Sequence, residues 1–187
     1  MMKAAQKIVG YGMLAAARPS VLTTGCFDLL HPGHVAHLEE CCDIAGRGEW
    51  SSAYRELIVC VGNDRTVREL KGYGRPVQDQ RSRALMVAAL ACVDYVVISE
   101  EQGIMDHTRL MEILRPAVLV VPETDPFLAE KQALAERCGG RVVTCKRTPP
   151  PHLPEGVSTT GIITQAATVP PAGYDWYAGP GYPGAQL

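Results

Sequence analysis

The sequence predicts an α/β protein: one Rossmann-like, doubly wound domain with a five-stranded parallel sheet and helices on both faces. Three observations predict it. Short runs rich in Val, Ile and Leu recur along the chain, and they are apolar throughout instead of alternating, as parallel strands covered on both faces require. Segments of helical character separate these runs, so each strand–helix–strand step reads as a right-handed crossover. The chain has 187 residues, which suits one core.

In order, the first strand is SVLTT at 20–24, followed by a helix over 33–46. ELIVCVG at 56–62 is the second strand, with helices over 64–71 and 79–92 after it. In the latter, Leu85, Met86, Ala89, Leu90 and Val93 recur at helical spacing and are expected to form one buried face. DYVVIS at 94–99 is the third strand, then a helix over 106–114, the strand AVLVV at 117–121 and a helix over 128–138 that Gly139 and Gly140 stop. RVVTC at 141–145 is the fifth strand, and a last helix begins near Ser158. The domain therefore runs over 20–166. Residues 1–19 read as a lead-in helix or arm, 46–55 as a polar surface loop, and the Pro, Gly and Tyr-rich residues 167–187 as an irregular tail.

Composition excludes several classes of function. Lys and Arg number 18 and Asp and Glu 20, for a formal net charge of −2, so the chain has no electrostatic footprint for nucleic acid or for an anionic membrane surface. No apolar run has the roughly 18 residues that a membrane-crossing helix needs. The seven cysteines are odd in number and lack CxxC spacing; they read as buried thiols of a cytoplasmic protein.

The chemistry concentrates in TTGCFDLLHPGHVAHLEE at 23–40. A strand ends at Thr24, and Gly25 lets the backbone turn and approach a ligand. HPGH then opens a helix, with Pro32 suited to a first position that lacks a hydrogen-bond partner for N–H anyway. Gly33 presents no side chain, so a phosphate can reach the helix amides and the positive end of the helix dipole. His31 and His34 flank that point three residues apart, on similar sides of one turn. They can donate hydrogen bonds to phosphate oxygens as charge develops on them. Two other readings stand beside this one: a structural pair, or a metal site formed with His37. Asp28, inside the same stretch, reads first as a turn-locking acceptor and second as a contact to substrate.

GCFDLLHPGHVAHLEE resembles the signature of the cytidylyltransferase-like nucleotidyltransferases, G-x-F-D-x-x-H-x-G-H. VGNDRTVRELKGYGRPV at 61–77, RALMVAALACVDYVVI at 83–98 and EGVSTTGII at 155–163 are similar to three further segments of that family, in the same order. Within the family the chain looks most like the adenylyltransferase half of bifunctional heptose-phosphate enzymes. Glycerol phosphate cytidylyltransferases come next, and archaeal-type FAD synthetases share the layout.

The resemblance implies that His31, His34 and Lys71 are catalytic. It implies nucleotide contacts from Gly25, Cys26, Phe27, Gly33, Arg83, Gly156, Ser158, Thr159 and Thr160. Asp28, Thr124 and Asp125 are candidate acceptor or nucleotide contacts. Read alone, Ser158 is a helix N-cap, Lys71 a solvated loop charge and Arg83 a surface ion pair.

The implied reaction moves a nucleoside monophosphate from ATP or CTP to a phosphorylated small molecule such as a sugar phosphate, releasing pyrophosphate. Mg²⁺ would accompany the NTP without direct protein ligands, and a homodimer is expected. A polyol phosphate, FMN or a phosphonate is the rival acceptor. The rival of another class is a nucleotide-binding regulatory module without turnover, because VVPETDPF at 120–127 departs from the family's Lys-Gly-Gly-Asp-like stretch, no Arg precedes Glu155, and Ser82 stands where an acidic residue usually precedes the helix arginine.

Overall fold

The computed structural model describes residues 2–14, 19–47, 55–146 and 157–168. Five strands form one parallel sheet in the order β3-β2-β1-β4-β5. They are β1 (Ser20–Gly25), β2 (Glu56–Val61), β3 (Tyr95–Ile98), β4 (Val118–Pro122) and β5 (Arg141–Cys145). The strand runs read from the sequence hold to within two residues. β1, β2 and β4 are buried along almost their whole length, whereas β5, at one edge, is half exposed. Val21 pairs with Leu57 on one side and with Val118 on the other. Strand order therefore reverses between β1 and β4, and the fold opens a ligand crevice at the carboxyl ends of those two strands.

The helices are α1 (Tyr11–Leu14), α2 (Pro32–Cys42), α3 (Asp64–Lys71), α4 (Gln80–Ala88), α5 (Thr108–Leu114), α6 (Leu128–Arg137) and α7 (Thr159–Ala167). Leu38 and Cys41 of α2 and Ala84, Val87 and Ala88 of α4 cover one face of the sheet with Val21, Val59 and Val120. Leu110 and Met111 of α5 and Leu134 and Ala135 of α6 cover the other face with Leu22, Ile58 and Leu119. These two apolar layers are the core.

The lead-in segment is an arm tied to the sheet. Ile8 makes a parallel bridge to Val96, extending the β3 edge. Lys7 Nζ donates to the carbonyls of Leu90 and Val93, just beyond the end of α4. Tyr11 is buried, and its hydroxyl accepts the Glu100 N–H.

Two expectations are corrected. α4 ends at Ala88, and its buried face is Arg83, Ala84, Val87 and Ala88. Leu85 and Met86 are about half exposed, Ala89 is exposed and Leu90 is only partly covered, so of the five residues expected inside only Val93 is buried. The face is rotated because a buried arginine, not an apolar residue, anchors the helix. The surface loop expected at 46–55 and the tail at 167–187 lie largely outside the described residues. None of the seven cysteines is in a disulfide; four are buried and three half-buried. Among the described residues, no helix is long and apolar enough to cross a membrane.

Candidate active site

β1 delivers its last residue, Gly25, to the floor of the crevice. The ring of Phe27 folds back over it, and a Cβ on Gly25 would lie 2.8 Å from that ring. Phe27 itself takes a left-handed backbone (φ 48°), a conformation that costs a bulky residue about 1–3 kcal/mol. Burial of its ring at 3% exposure and contact with the His34 ring, 5.1 Å between centroids, hold it there.

His31 is the N-cap of α2, with extended backbone, and its side chain makes no capping bond. Pro32 follows as the first helical residue. The helix end thus keeps its dipole directed at the crevice, where an anion is the natural complement. The rings of His31 and His34 lie 3.8 Å apart between centroids, tilted by 31°. Both line a cleft of about 250 Å³.

α7 brings a second helix N-terminus to the same cleft. Ser158 caps it by accepting the Gly161 N–H at 3.1 Å. Thr159 Oγ1 donates to the Leu29 carbonyl at 3.3 Å, fastening this turn to the loop before α2. The carbonyl oxygen of Val157 lies 3.8 Å from where a Gly33 Cβ would stand. Ser158, Thr159 and Thr160 line the same cleft as the imidazoles, together with Thr24, Gly25, Cys26, Phe27 and Pro122. Gly156 lies outside the described residues.

The positive charge comes from the segment after β2. Lys71 ends α3 at the rim, and Arg75 lines the cleft just beyond it. Asp28 is buried and accepts three donors: Arg75 Nε, the Val77 N–H at 2.8 Å and the Gln78 N–H at 3.1 Å. It therefore locks the loop that carries Arg75; the role is structural, but its donors lie 47 to 50 residues away and not in the local turn expected from the sequence. Sequence reasoning missed Arg75. GYGRPV holds it four residues after Lys71, yet only the geometry reveals its partner 47 residues upstream.

Arg83 is neither a surface ion pair nor a wall of the cleft. It is fully buried, and its guanidinium donates to the carbonyls of Cys26 and Gln78 and to Asp64 Oδ1 at 2.8 Å. It thus holds the Cys26 carbonyl from behind. Burial pushes the Cys26 thiol above its ordinary range, against the opposing pull of Lys71 and Arg83. His37 is a structural residue and, among the described residues, not part of a metal site. Its Nε2 meets Thr23 Oγ1 at 2.8 Å and its Nδ1 meets Cys145 Sγ at 2.8 Å, tying α2 to β1 and β5. Among the described residues no group of three or more His, Cys, Asp or Glu is arranged to hold a metal ion.

A second cleft of about 290 Å³ adjoins the first, sharing Thr24, Gly25, Cys26, Lys71 and Pro122. Thr124 and Asp125 line it, along with Gly62, Thr66, Asp106 and Lys131. The carboxylate of Asp125 is committed within the protein: Lys131 Nζ lies 2.6 Å from Oδ2, and the Phe127 N–H donates to Oδ1. Asp106 and Lys131 carried no sequence signal.

Two imidazoles and two helix N-termini around one anion-sized cleft, at the switch point of a parallel sheet, define a nucleotidyltransferase-like α/β domain. The chain belongs to the cytidylyltransferase-like family, whose profile matches residues 22–165. It is 38% identical over 151 residues to the bifunctional protein HldE of Geobacter metallireducens, covering 80% of this chain and 27% of that protein. It is 40% identical over 147 residues to HldE of Bradyrhizobium diazoefficiens, covering 77% of this chain and 26% of that protein. The chain thus spans about a quarter of the length of these relatives. Among solved structures it is similar to the lipopolysaccharide core biosynthesis protein of Thermoplasma volcanium, with a TM-score of 0.54, 26% identity, and coverage of 71% of this chain and 98% of that one.

Proposed function

We propose that the protein transfers a nucleoside monophosphate from ATP or CTP to the phosphate of a phosphorylated small molecule, with a sugar phosphate as first candidate, and releases pyrophosphate. The observation that carries this reading is the convergence of His31, His34 and the α2 and α7 N-termini on one cleft. The likeness to HldE proteins over most of this chain supports a sugar phosphate ahead of FMN or a phosphonate.

In the proposed step, an oxygen of the acceptor phosphate attacks the α-phosphorus of the NTP in line. The new O–P bond forms as the bond to the pyrophosphate oxygen breaks. A phosphate dianion is already a nucleophile at neutral pH, so no protein base is required. The rate comes from positioning and from donors aimed at the charge that develops. His31 and His34 serve the phosphate oxygens, and the Ser158–Thr160 turn closes on the triphosphate. Lys71, on the rim common to both clefts, and Arg75 balance the negative charge of donor and acceptor.

Among the described residues the first cleft has one acidic lining residue, Asp28, and three protein donors occupy its carboxylate. A Mg²⁺ ion would therefore ride on phosphate oxygens and water, where it neutralises the triphosphate. The reading includes a cytoplasmic location, supported by the cysteine content. It also includes a homodimer, supported by Leu85 and Met86, which α4 leaves in solvent.

The test is a thermal-shift screen of NTPs followed by a pyrophosphate-release assay over heptose, hexose and glycerol phosphates and FMN. A nucleotide-dependent rise in Tm and release that depends on a sugar phosphate support the proposal. Nucleotide binding with no turnover on any acceptor would instead make the protein a regulatory nucleotide-binding module.

A further inference from the structure

Asp106 belongs to the loop between β3 and α5 and forms part of the wall of the second cleft. It is 6% exposed, and its Oδ2 is buried without a hydrogen-bond donor among the described residues. Its other oxygen is 3.7 Å from His107 Nδ1, beyond hydrogen-bond reach. The lysine of the same cleft does not neutralise it, because Lys131 is engaged by Asp125 at 2.6 Å. A buried carboxylate oxygen without a donor is expensive, and in native proteins such a group calls for an explanation in strain, ordered water or function. Gly62 keeps room beside it: a Cβ there would lie 3.5 Å from Oδ2, filling space that now borders the cleft.

We propose that Asp106 reads the acceptor, taking a hydrogen bond from one of its hydroxyl groups, and that the acceptor is polyhydroxylated. This rests on the transferase reading above and adds to it the residue that selects the substrate. A carboxylate accepts and never donates, so it requires an O–H or N–H on the ligand. Thr124 lines the same cleft and offers a hydroxyl that can donate or accept, a complement to a ligand hydroxyl. Among the described residues, no aromatic side chain lines that cleft to hold a flavin ring or a quaternary ammonium. With its phosphate beside Lys71 on the common rim, an acceptor would extend its hydroxyl-bearing end toward Asp106.

The experiment is isothermal titration of the protein, saturated with a non-hydrolysable NTP analogue, with glycerol phosphate, a hexose phosphate, its monodeoxy analogues, ethanolamine phosphate and FMN. The same panel is run on Asp106→Ala, Asp106→Asn and Gly62→Ala. A hydrogen bond to a charged group is worth roughly 10- to 100-fold in affinity. Asp106→Ala should therefore weaken a polyhydroxylated phosphate by that factor and leave NTP affinity unchanged. One monodeoxy analogue should bind wild type as weakly as the parent binds the variant. Gly62→Ala, whose new methyl meets only ordinary contacts, should fold normally and weaken the same ligand. Asp106→Asn should keep or raise Tm, since it replaces a carboxylate whose buried oxygen has no donor among the described residues; a purely structural Asp106 would lower it. Unchanged polyol affinity in Asp106→Ala, equal loss of NTP affinity, or preference for ethanolamine phosphate or FMN would overturn the proposal. Because binding is read directly, the two failures are distinguishable: selective, Asp106-dependent polyol binding with no pyrophosphate release in the assay above would sink the transferase reading, and Asp106 would then read a bound polyol phosphate that is not an acceptor.

Discussion

Asp28 and Arg75, 47 residues apart in sequence, form a salt bridge at 2.5 Å that is closed to solvent on the carboxylate side. It joins the loop after β1, within the signature, to the loop after α3, and so fixes the signature against a cation that lines the cleft. Asp28→Ala leaves a guanidinium and two backbone N–H groups without their acceptor. Removing one member of a buried pair costs about 3–5 kcal/mol. Denaturant unfolding should show that loss, and KM for the NTP should rise. Arg75→Ala, whose side chain is only 13% exposed, should raise the NTP KM as well, with a smaller loss of stability because Asp28 keeps its two backbone donors.

Arg83 acts on the cleft from behind. Its three donations run to three different acceptors, a fork geometry that an ammonium group does not reproduce. Arg83→Lys should destabilise the fold by roughly 3–5 kcal/mol, as expected when a fully buried cation loses its partners. It should also loosen the Cys26 backbone. Urea titration gives the first effect. The second should appear as faster alkylation of the Cys26 thiol, which burial keeps protonated in the native protein.

Gly33 tests how closely His31 is held. An added Cβ would lie 3.2 Å from the His31 ring, so the imidazole must shift by a few tenths of an ångström. Alanine in a helix is about 0.5–1 kcal/mol more favourable than glycine, so Gly33→Ala should not lower Tm. Misplacement of a catalytic group by 1 Å costs about 100-fold, and this smaller shift should reduce kcat by roughly tenfold. Steady-state kinetics beside a thermal melt separates the two.

Asp79 caps α4, accepting the N–H groups of Arg81 and Ser82 and the Ser82 hydroxyl. Those bonds, the hydroxyl first, hold its carboxyl below the ordinary value of 3.8. A carboxyl lowered in the folded state stabilises it above the unfolded pKa, and that contribution disappears as pH falls through the lower folded value. Asp79→Ala should therefore melt below wild type at neutral pH, and the gap should close below about pH 3.8 as the native carboxyl protonates. Asp79→Asn retains a capping oxygen and should melt close to wild type at neutral pH.

The sheet was legible because parallel strands covered on both faces need continuous apolar runs, and ELIVCV and VLVV supply them. The candidate anion cradle was legible because strand, Gly, HPGH and helix lie within one stretch of chain. Ser158 and its neighbours were legible as a motif, although their docking on Leu29 is a contact over 130 residues. What the sequence hid depends on such distant partners. Leu85 and Met86 have the spacing of a core face, but Arg83 finds acceptors at Cys26, Gln78 and Asp64 that allow a charge to be buried instead. Asp125 looked available to substrate until Lys131 was found beside it. Arg75 and Asp106 sit in loops, where no periodicity marks a residue as facing a cleft.

Pyrophosphate release by His31→Ala and His34→Ala, measured at saturating NTP and sugar phosphate, tests the central claim most directly. Each variant should still bind nucleotide and should lose on the order of 100- to 1,000-fold in kcat, the effect of deleting one preorganised donor to a developing anion. Turnover at the wild-type rate in both variants would contradict the account.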